Sequence, residues 1–473
     1  MKKYSLIIII IIVLFNSCDS IVEDLNNDPN SLTTSSFQSV LTGAEVGNSL
    51  FQTGESARRA CIFAGQYTGI DRQHLGFSQY TVTTSDFNEL WYDAYVNAYR
   101  NAYTAQELAI ENNIGSVSEG ITQVLQALII GSTTSLYGDV PFEEAGQTAI
   151  ENPVYETQPE IYQKLQDLLD TAIINLEENT GLPASGSEIY FNGDPQAWVE
   201  VAHSLKARLY LQNKAYEEAY QEALQGISSD ANSLYSPHGE AADNRNLNYQ
   251  FFAVEVRQSD LIVSDFMASL IDSSSENPIP NNYRGNNKTD ETARYNFYFN
   301  TTDIGIQPNT VDGFAAPAAP APILTYQENL LILAEAGFRT NGFITGLENL
   351  NNFRNYMNNG GYLQNVDSEN IQYEAYTSTD FQQGGIANTE NLNANDALLK
   401  EILEERYVTL FGQLEPFNDT RRTQDETSIR VPVQPNTGDQ LPQRFIYPQS
   451  EIDRNNNTPQ PIPNFFDRTP INQ

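Results

Sequence analysis

The side chains that most often carry catalysis are scarce in this chain. Three His and two Cys are spread over 473 residues, with neither a C-x-x-C nor an H-E-x-x-H among them, whereas zinc sites draw three or four ligands from these residue types. His74 stands among polar neighbours in Asp71-Arg72-Gln73-His74, with no serine or cysteine nucleophile in a supporting context, so it reads as a loop hydrogen-bonder and not as a catalyst. Carboxylates are the abundant chemistry: 61 Asp+Glu against 25 Lys+Arg give a net charge of -36. That excess works against any partner whose affinity comes from neutralising phosphates, which excludes nucleic acid. It leaves open a hydrolase built on two carboxylates, because such a pair is defined by separation in space and leaves no spacing in the sequence. No cofactor motif is present. Residues such as Asp303 and Asp312 could contribute oxygens to a structural calcium ion, without the loop spacing of an EF-hand.

One cysteine does have a context that defines a reaction. Lys2 and Lys3 are followed by an unbroken apolar run of ten residues, Leu6 to Phe15. A bilayer span needs about 20 residues, so the run has the length of the apolar region of a secretory signal. Asn16-Ser17-Cys18 comes straight after it. The pattern resembles a bacterial lipoprotein signal, which implies that the Cys18 thiolate takes a diacylglyceryl group and that cleavage leaves Cys18 as the first mature residue. Leu14 lies one place further from the cysteine than the usual motif has it, with Phe15 in its slot. Residues 1–17 are therefore expected to be signal peptide, and residues 18–36 a lipidated cysteine and polar tether. Lipid, and not charge, is the expected means of membrane attachment, since so acidic a body is repelled by an anionic surface and three acyl chains anchor stably where one does not. With Cys18 acylated, Cys61 is left single in the apolar context Arg59-Ala60-Cys61-Ile62-Phe63-Ala64 and reads as a small core residue.

A hydrophobic content of 40% and an aromatic content of 11% are too high for a disordered acidic chain. Helical periodicity dominates residues 37–230. Trp91, Tyr95, Ala98, Tyr99, Ala102, Ala105 and Leu108 form one stripe, and further helices are predicted over Gly120–Tyr137, from Ile161 to Leu176, and as a pair on either side of Gln212-Asn213-Lys214. In that pair small residues alternate with large ones, the character of a tetratricopeptide hairpin. Another helix begins at Thr325, with Glu328 placed for a capping box, and one more covers Ala397 to Phe411. The predicted architecture is mainly α with little β, its helical scaffold lying in 37–230 and 323–415. Between and beyond these, 231–322, 358–395 and 424–473 are loop-rich, and irregular stretches of such length usually serve binding.

Several segments, in order along the chain, resemble the SusD/RagB family of nutrient-binding outer-membrane lipoproteins of Bacteroidetes. They are Asp24-Leu25-Asn26-Asn27-Asp28-Pro29-Asn30, the run Leu136-Tyr137-Gly138-Asp139-Val140-Pro141-Phe142, Leu205-Lys206-Ala207-Arg208-Leu209-Tyr210-Leu211, and the helix from Tyr326 to Ala336. Glu404-Glu405-Arg406-Tyr407, Arg421-Arg422 and Phe445-Ile446-Tyr447-Pro448 continue the series. One departure is Asn277-Pro278-Ile279-Pro280, where many relatives have Asp-Pro-Arg, so the following loop is expected to be remodelled. The resemblance implies one domain over 37–473, built on divergent tetratricopeptide units with long excursions as its ligand face. It also implies an oligosaccharide ligand, or a peptide in some members, and a TonB-dependent transporter of the SusC type as partner at the outer membrane.

Sugars are bound by aromatic rings against their C–H faces while amides, carboxylates and Arg take the hydroxyls. Two regions offer that mixture, and they supply the candidate ligand-binding residues Asp71, Arg72, His74, Tyr80 and Trp91 in the first, Tyr283, Arg284, Tyr295 and Tyr298 in the second. Trp91, on its stripe with Tyr95, also fits a core position. Tyr295, Phe297 and Phe299 alternate as in a half-buried strand, which would expose Asn296 and Tyr298. Arg208, Glu335, Arg421 and Arg422 read as buried structural charges. The expected function is non-catalytic capture and delivery of glycan. A glycan hydrolase and a scaffold for a protein partner are the alternatives.

Overall fold

A computed structural model describes residues 35–473 apart from Glu255 and residues 364–370. The expectations for the signal, Cys18 and most of the tether lie outside the described residues. The helices of eight residues or more are α1 Phe37–Thr53, α2 Glu55–Phe63, α3 Arg100–Glu111, α4 Ser116–Tyr137, α5 Gln158–Glu178, α6 Pro195–Gln212, α7 Tyr216–Ala223, α8 Tyr326–Asn341, α9 Phe343–Asn358, α10 Ala394–Thr409 and α11 Glu415–Arg422. From α3 to α7 each helix packs on the next; α7 then packs on α8, which also contacts α9 and α10. The helical stack thus closes across an excursion that leaves it after α7 and returns at α8. Among the described residues the strands form only two-stranded antiparallel ribbons of two to four residues a strand, such as Tyr67–Gly69 with Leu261–Val263.

Local chemistry accounts for these helices. Thr157 and Glu160 form a capping box at the start of α5; at the start of α8 the Thr325 hydroxyl accepts the N–H of Glu328, half of the box that the sequence predicts there, because the Glu328 carboxylate turns to Arg208 instead. Almost every residue of α4 is buried, because α3, α5, α6 and α1 all lie against it. The Trp91 stripe is helical throughout, yet Asp93–Tyr99 winds as a π-helix between Asn88–Tyr92 and α3. The carbonyl of Asn97 in that wide turn accepts the Asn101 amide at 2.8 Å. α1 crosses at this point, and a Cβ on Gly47 would lie 2.0 Å from the Asn97 oxygen, so only glycine permits the contact.

Two local readings are corrected. Residues 292–298 are a helix and not a strand, and the strand Phe299–Thr302 begins only after it. Tyr298 is consequently buried, its hydroxyl donating to the Thr409 carbonyl at 2.9 Å, because tertiary aromatic packing overrides an alternation too short to define a period. His74 is not in a loop. It lies in the helix Arg72–Ser78, with no solvent exposure, its Nε2 3.3 Å from Glu55 and its Nδ1 3.6 Å from Asp260. Cys61 is free and buried, as its context predicts.

Buried ion pairs tie the late helices to the early ones. Arg208 of α6 reaches both oxygens of Glu328 in α8, at 2.7 and 2.5 Å. Glu335, two turns further along the same face, receives Arg422 of α11 at 2.6 and 2.5 Å and Arg339 at 2.9 Å, with Arg406 of α10 at 3.6 Å. Asp419 joins Arg406 and Arg422 at 3.0 and 2.7 Å. Burial by itself would raise the Glu335 carboxyl, but Arg422, Arg339 and Arg406 together hold it well below the usual carboxylate range. A second cluster sets Arg284 and Arg294 between Glu291, Glu401 and Glu405. Glu404, beside it, has only Lys400 at 3.9 Å for a cation within reach, and burial pushes its carboxyl up to about 7.

Removing one member of such a network leaves its partners charged and buried. Glu335→Ala is expected to cost about 3–5 kcal/mol in denaturant unfolding; unchanged stability together with lost ligand binding would reassign Glu335 to the binding site. Glu404 gives the opposite kind of test. Its folded carboxyl keeps a proton that the unfolded chain releases near its ordinary value of 4.5. The stability it contributes is therefore full below about pH 4.5 and is lost as pH rises through about 7. Melting temperatures of Glu404→Gln should fall less than those of the parent across that window.

Candidate functional site

The cavity that best combines apolar floor with polar rim lies where the excursion rejoins the stack. It encloses about 370 Å³ and is lined by the end of the helix Thr292–Tyr298, the loop 311–320, the turn at Gly361–Leu363, the end of α10 and the strand Leu234–Ser236. Phe297, Tyr298, Phe314, Tyr362 and Phe411 supply the aromatic surface. Their rings interlock: Tyr298 and Phe411 are 5.2 Å apart, Phe314 and Phe411 5.5 Å, Phe297 and Tyr362 5.8 Å. Gly412, at φ +79°, makes room for this cluster, since a Cβ there would come within 2.5 Å of the Phe314 ring. The wall formed by Ala315 to Pro322 has few donors to offer, because each proline removes an N–H. Asn246 pins it, its N–H donating to the Pro317 carbonyl and its side-chain amide to the Ala319 carbonyl, both at 2.8 Å.

The polar groups of this cavity fall into two sets. Asp230 is engaged, accepting from Tyr235 and Tyr356 at 3.3 and 3.1 Å. Gln327 donates its amide N–H to the Tyr235 hydroxyl at 3.1 Å, yet its Oε1 has no partner, and the Oε1 of Gln413 has none either. Both glutamines are buried in the cavity wall. A buried acceptor left unpaired costs about 1–3 kcal/mol, so the two oxygens favour a guest that brings hydroxyl or amide donors. Aromatic faces with unpaired acceptors beside them fit the C–H faces and hydroxyls of a saccharide.

Of the candidate residues, Tyr298 lines this cavity. Tyr283 and Arg284 line a smaller one of about 180 Å³ together with Glu401 and Glu404; there the Arg284 guanidinium is spent on Glu401 and Glu405. Tyr80 packs on Phe465 and Phe466, 6.2 and 6.1 Å between rings. Trp91 is largely buried against Tyr95 and Tyr137, at 4.5 and 5.0 Å, and edges a groove with Tyr92, Pro141 and Glu451. Asp71, Arg72 and His74 do come together: Asp71 caps the Arg72–Ser78 helix, while Arg72 and His74 both face the buried Asp260. Tyr295 packs on Phe299 at 5.4 Å. The structure thus separates Tyr80, Trp91, Tyr283 with Arg284, and Tyr298 into four places. No residue pattern marks Tyr235, Gln327, Tyr362, Phe411 or Gln413 as site residues; Tyr235 and Tyr362 fall in the loop-rich stretches 231–322 and 358–395.

Among the described residues, no group of three or more His, Cys, Asp or Glu side chains is placed to hold a metal ion, and Asp312 accepts from the Asn309 amide at 2.9 Å. No described helix is long and apolar enough to cross a membrane.

Solved structures share this architecture over nearly the whole chain. A SusD/RagB family protein of Bacteroides thetaiotaomicron aligns with a TM-score of 0.65 at 18% identity, covering 90% of this chain and 95% of its own. A SusD homolog of Bacteroides fragilis aligns with a TM-score of 0.67 at 17% identity, over 93% and 100%. A chitin-binding SusD homolog of Flavobacterium johnsoniae gives 0.65 at 16%, over 92% and 98%. Among curated proteins, none matches the sequence. The model of the SusD-like family, described as starch-binding and associating with the outer membrane, matches residues 29–448, and the chain therefore belongs to that family.

Proposed function

We propose that the chain is a surface lipoprotein of the outer membrane, held by acylated Cys18, that captures oligosaccharides and delivers them to a TonB-dependent transporter of the SusC type without chemistry of its own. The observation that carries the reading is the aromatic cavity with its two unpaired glutamine oxygens. Membership of a family described as starch-binding supports it, as does a structural relative described as chitin-binding.

A hydrolase has one observation in its favour. Glu404, with a carboxyl pushed up to about 7, shares the smaller cavity with Glu401, and a general acid needs a raised pKa. Against it, the two carboxyls sit one turn apart on α10 with Lys400 beside them, instead of facing each other across a cleft.

Three measurements test these readings. In calorimetric titration with neutral oligosaccharides, Tyr362→Ala should weaken binding by about tenfold, the loss of one stacking face, while melting near the parent temperature. Incubation of the protein with the same oligosaccharides should yield no product above a matched blank; turnover that Glu404→Gln abolishes would establish the hydrolase. Cys18→Ala should release the protein from the membrane fraction, and retention there would sink the lipid anchor.

A further inference from the structure

The cavity between α11 and the C-terminal loops gathers cations in a chain dominated by acids. It encloses about 320 Å³, and Arg421, Arg430, Arg468 and Phe466 are in its walls, with Asp439 as the carboxylate among the lining residues. Arg421 is only 2% exposed. Its guanidinium donates to the carbonyls of Phe417, Gln443 and Ser135 at 3.0, 3.0 and 2.8 Å and to the amide oxygen of Asn418. All four acceptors are neutral. Its neighbour Arg422, equally buried, holds the carboxylates of Glu335 and Asp419. Burial pushes the Arg421 pKa down to about 9, with Glu415 partly opposing the shift and Arg444 adding to it. A buried cation with no carboxylate in contact is costly, and an anion in the adjoining cavity would relieve it.

The cavity mouth is built to supply more than charge. Arg430 is exposed and spends one N–H on the Gln424 carbonyl at 2.8 Å. Arg468 makes a two-pronged pair with Asp425 at 2.7 and 2.8 Å, which positions it at the rim. Phe466, 37% exposed, presents its ring beside Tyr80, whose hydroxyl accepts the Asn436 N–H at 3.1 Å. Tyr80 holds this place at φ +58°, a conformation that side chains other than glycine, Asn and Asp rarely adopt. An aromatic face next to the guanidinium of Arg430, which has one N–H engaged, and the buried charge of Arg421 matches a sugar ring that carries an anionic substituent. The net charge of -36 repels anions at long range, but at physiological salt that repulsion is screened beyond about 8 Å, so the guanidiniums nearest the ligand decide the sign.

We propose that this cavity is a second subsite, for a single carboxylate or sulfate group carried on a saccharide whose apolar face lies against Phe466. The inference rests on the oligosaccharide reading for the source of the anion only. It is tested by calorimetric titration of the full chain at physiological ionic strength with inorganic sulfate, a galacturonic acid trisaccharide and a neutral trisaccharide. Sulfate and galacturonate are both expected to bind, galacturonate more tightly. Arg430→Gln should weaken both by about tenfold, the worth of one charge-assisted contact, without changing the neutral trisaccharide, and Asp439→Asn should strengthen both. Absence of binding by either anion, or equal affinity in Arg430→Gln and the parent, overturns the proposal; sulfate binding without galacturonate binding overturns its saccharide source and so the proposal as well. Failure of the neutral trisaccharide alone would count against the aromatic cavity as a glycan site and leave this subsite standing.

Discussion

The closure of the helical stack depends on α8 meeting α6, α10 and α11 through buried charge. Glu328 and Glu335 lie on one helix, seven residues apart, and so present their carboxylates on the same face, two turns along. One receives Arg208 from the early helices, the other Arg422 and Arg406 from the late ones. Each of these ions buried singly would be expelled by its desolvation cost; together they are tolerable only in one register of the four helices. The long excursion between α7 and α8 can wander in sequence because its two ends are returned to a single geometry by this network.

The aromatic cavity inherits its shape from that closure. The strand Leu234–Ser236 pairs with Ala321–Leu324 directly ahead of α8, and the end of α10 supplies Thr409 and the approach to Phe411 and Gln413. Polar groups are handled in two contrasting ways on either side of this wall. In the scaffold Glu328 and Glu335 are engaged by guanidiniums. In the cavity the amide oxygens of Gln327 and Gln413 are left without partners. Neutral unpaired acceptors can wait for a hydroxyl at a cost far below that of a waiting charge, which suits a site for uncharged ligands.

Solved relatives at 16–18% identity preserve the fold at TM-scores of 0.63–0.67 for several of them. At that distance the scaffold is shared while surfaces are free to differ. The Arg421 cavity and the aromatic cavity are both made largely from irregular segments, the C-terminal loops in one case and the 311–322 loop in the other. Both cavities are therefore built from the parts of the chain that contribute least to the closure of the stack.

Helix placement was largely legible in the residues themselves, because an apolar face every three or four residues, a capping hydroxyl and a stopping glycine are local chemistry. The Thr325 cap of α8, the end of α4 at Tyr137 and the buried charges Arg208 and Glu335 needed no tertiary information. Which side chains share a cavity was not legible. Tyr235, Tyr298, Gln327, Tyr362 and Gln413 come from five separate segments, and only the return of α8 onto α6 and α7 brings them together. Likewise, pairing of Tyr67–Gly69 with Leu261–Val263 sets His74 beside Glu55 and Asp260 and not in a loop, and packing on Thr409 and Phe411 puts Tyr298 in the cavity wall and not on an exposed strand face. Periodicity records which face of an element is buried; what it is buried against is set by contacts between residues far apart in the chain, and the sequence holds no local trace of those.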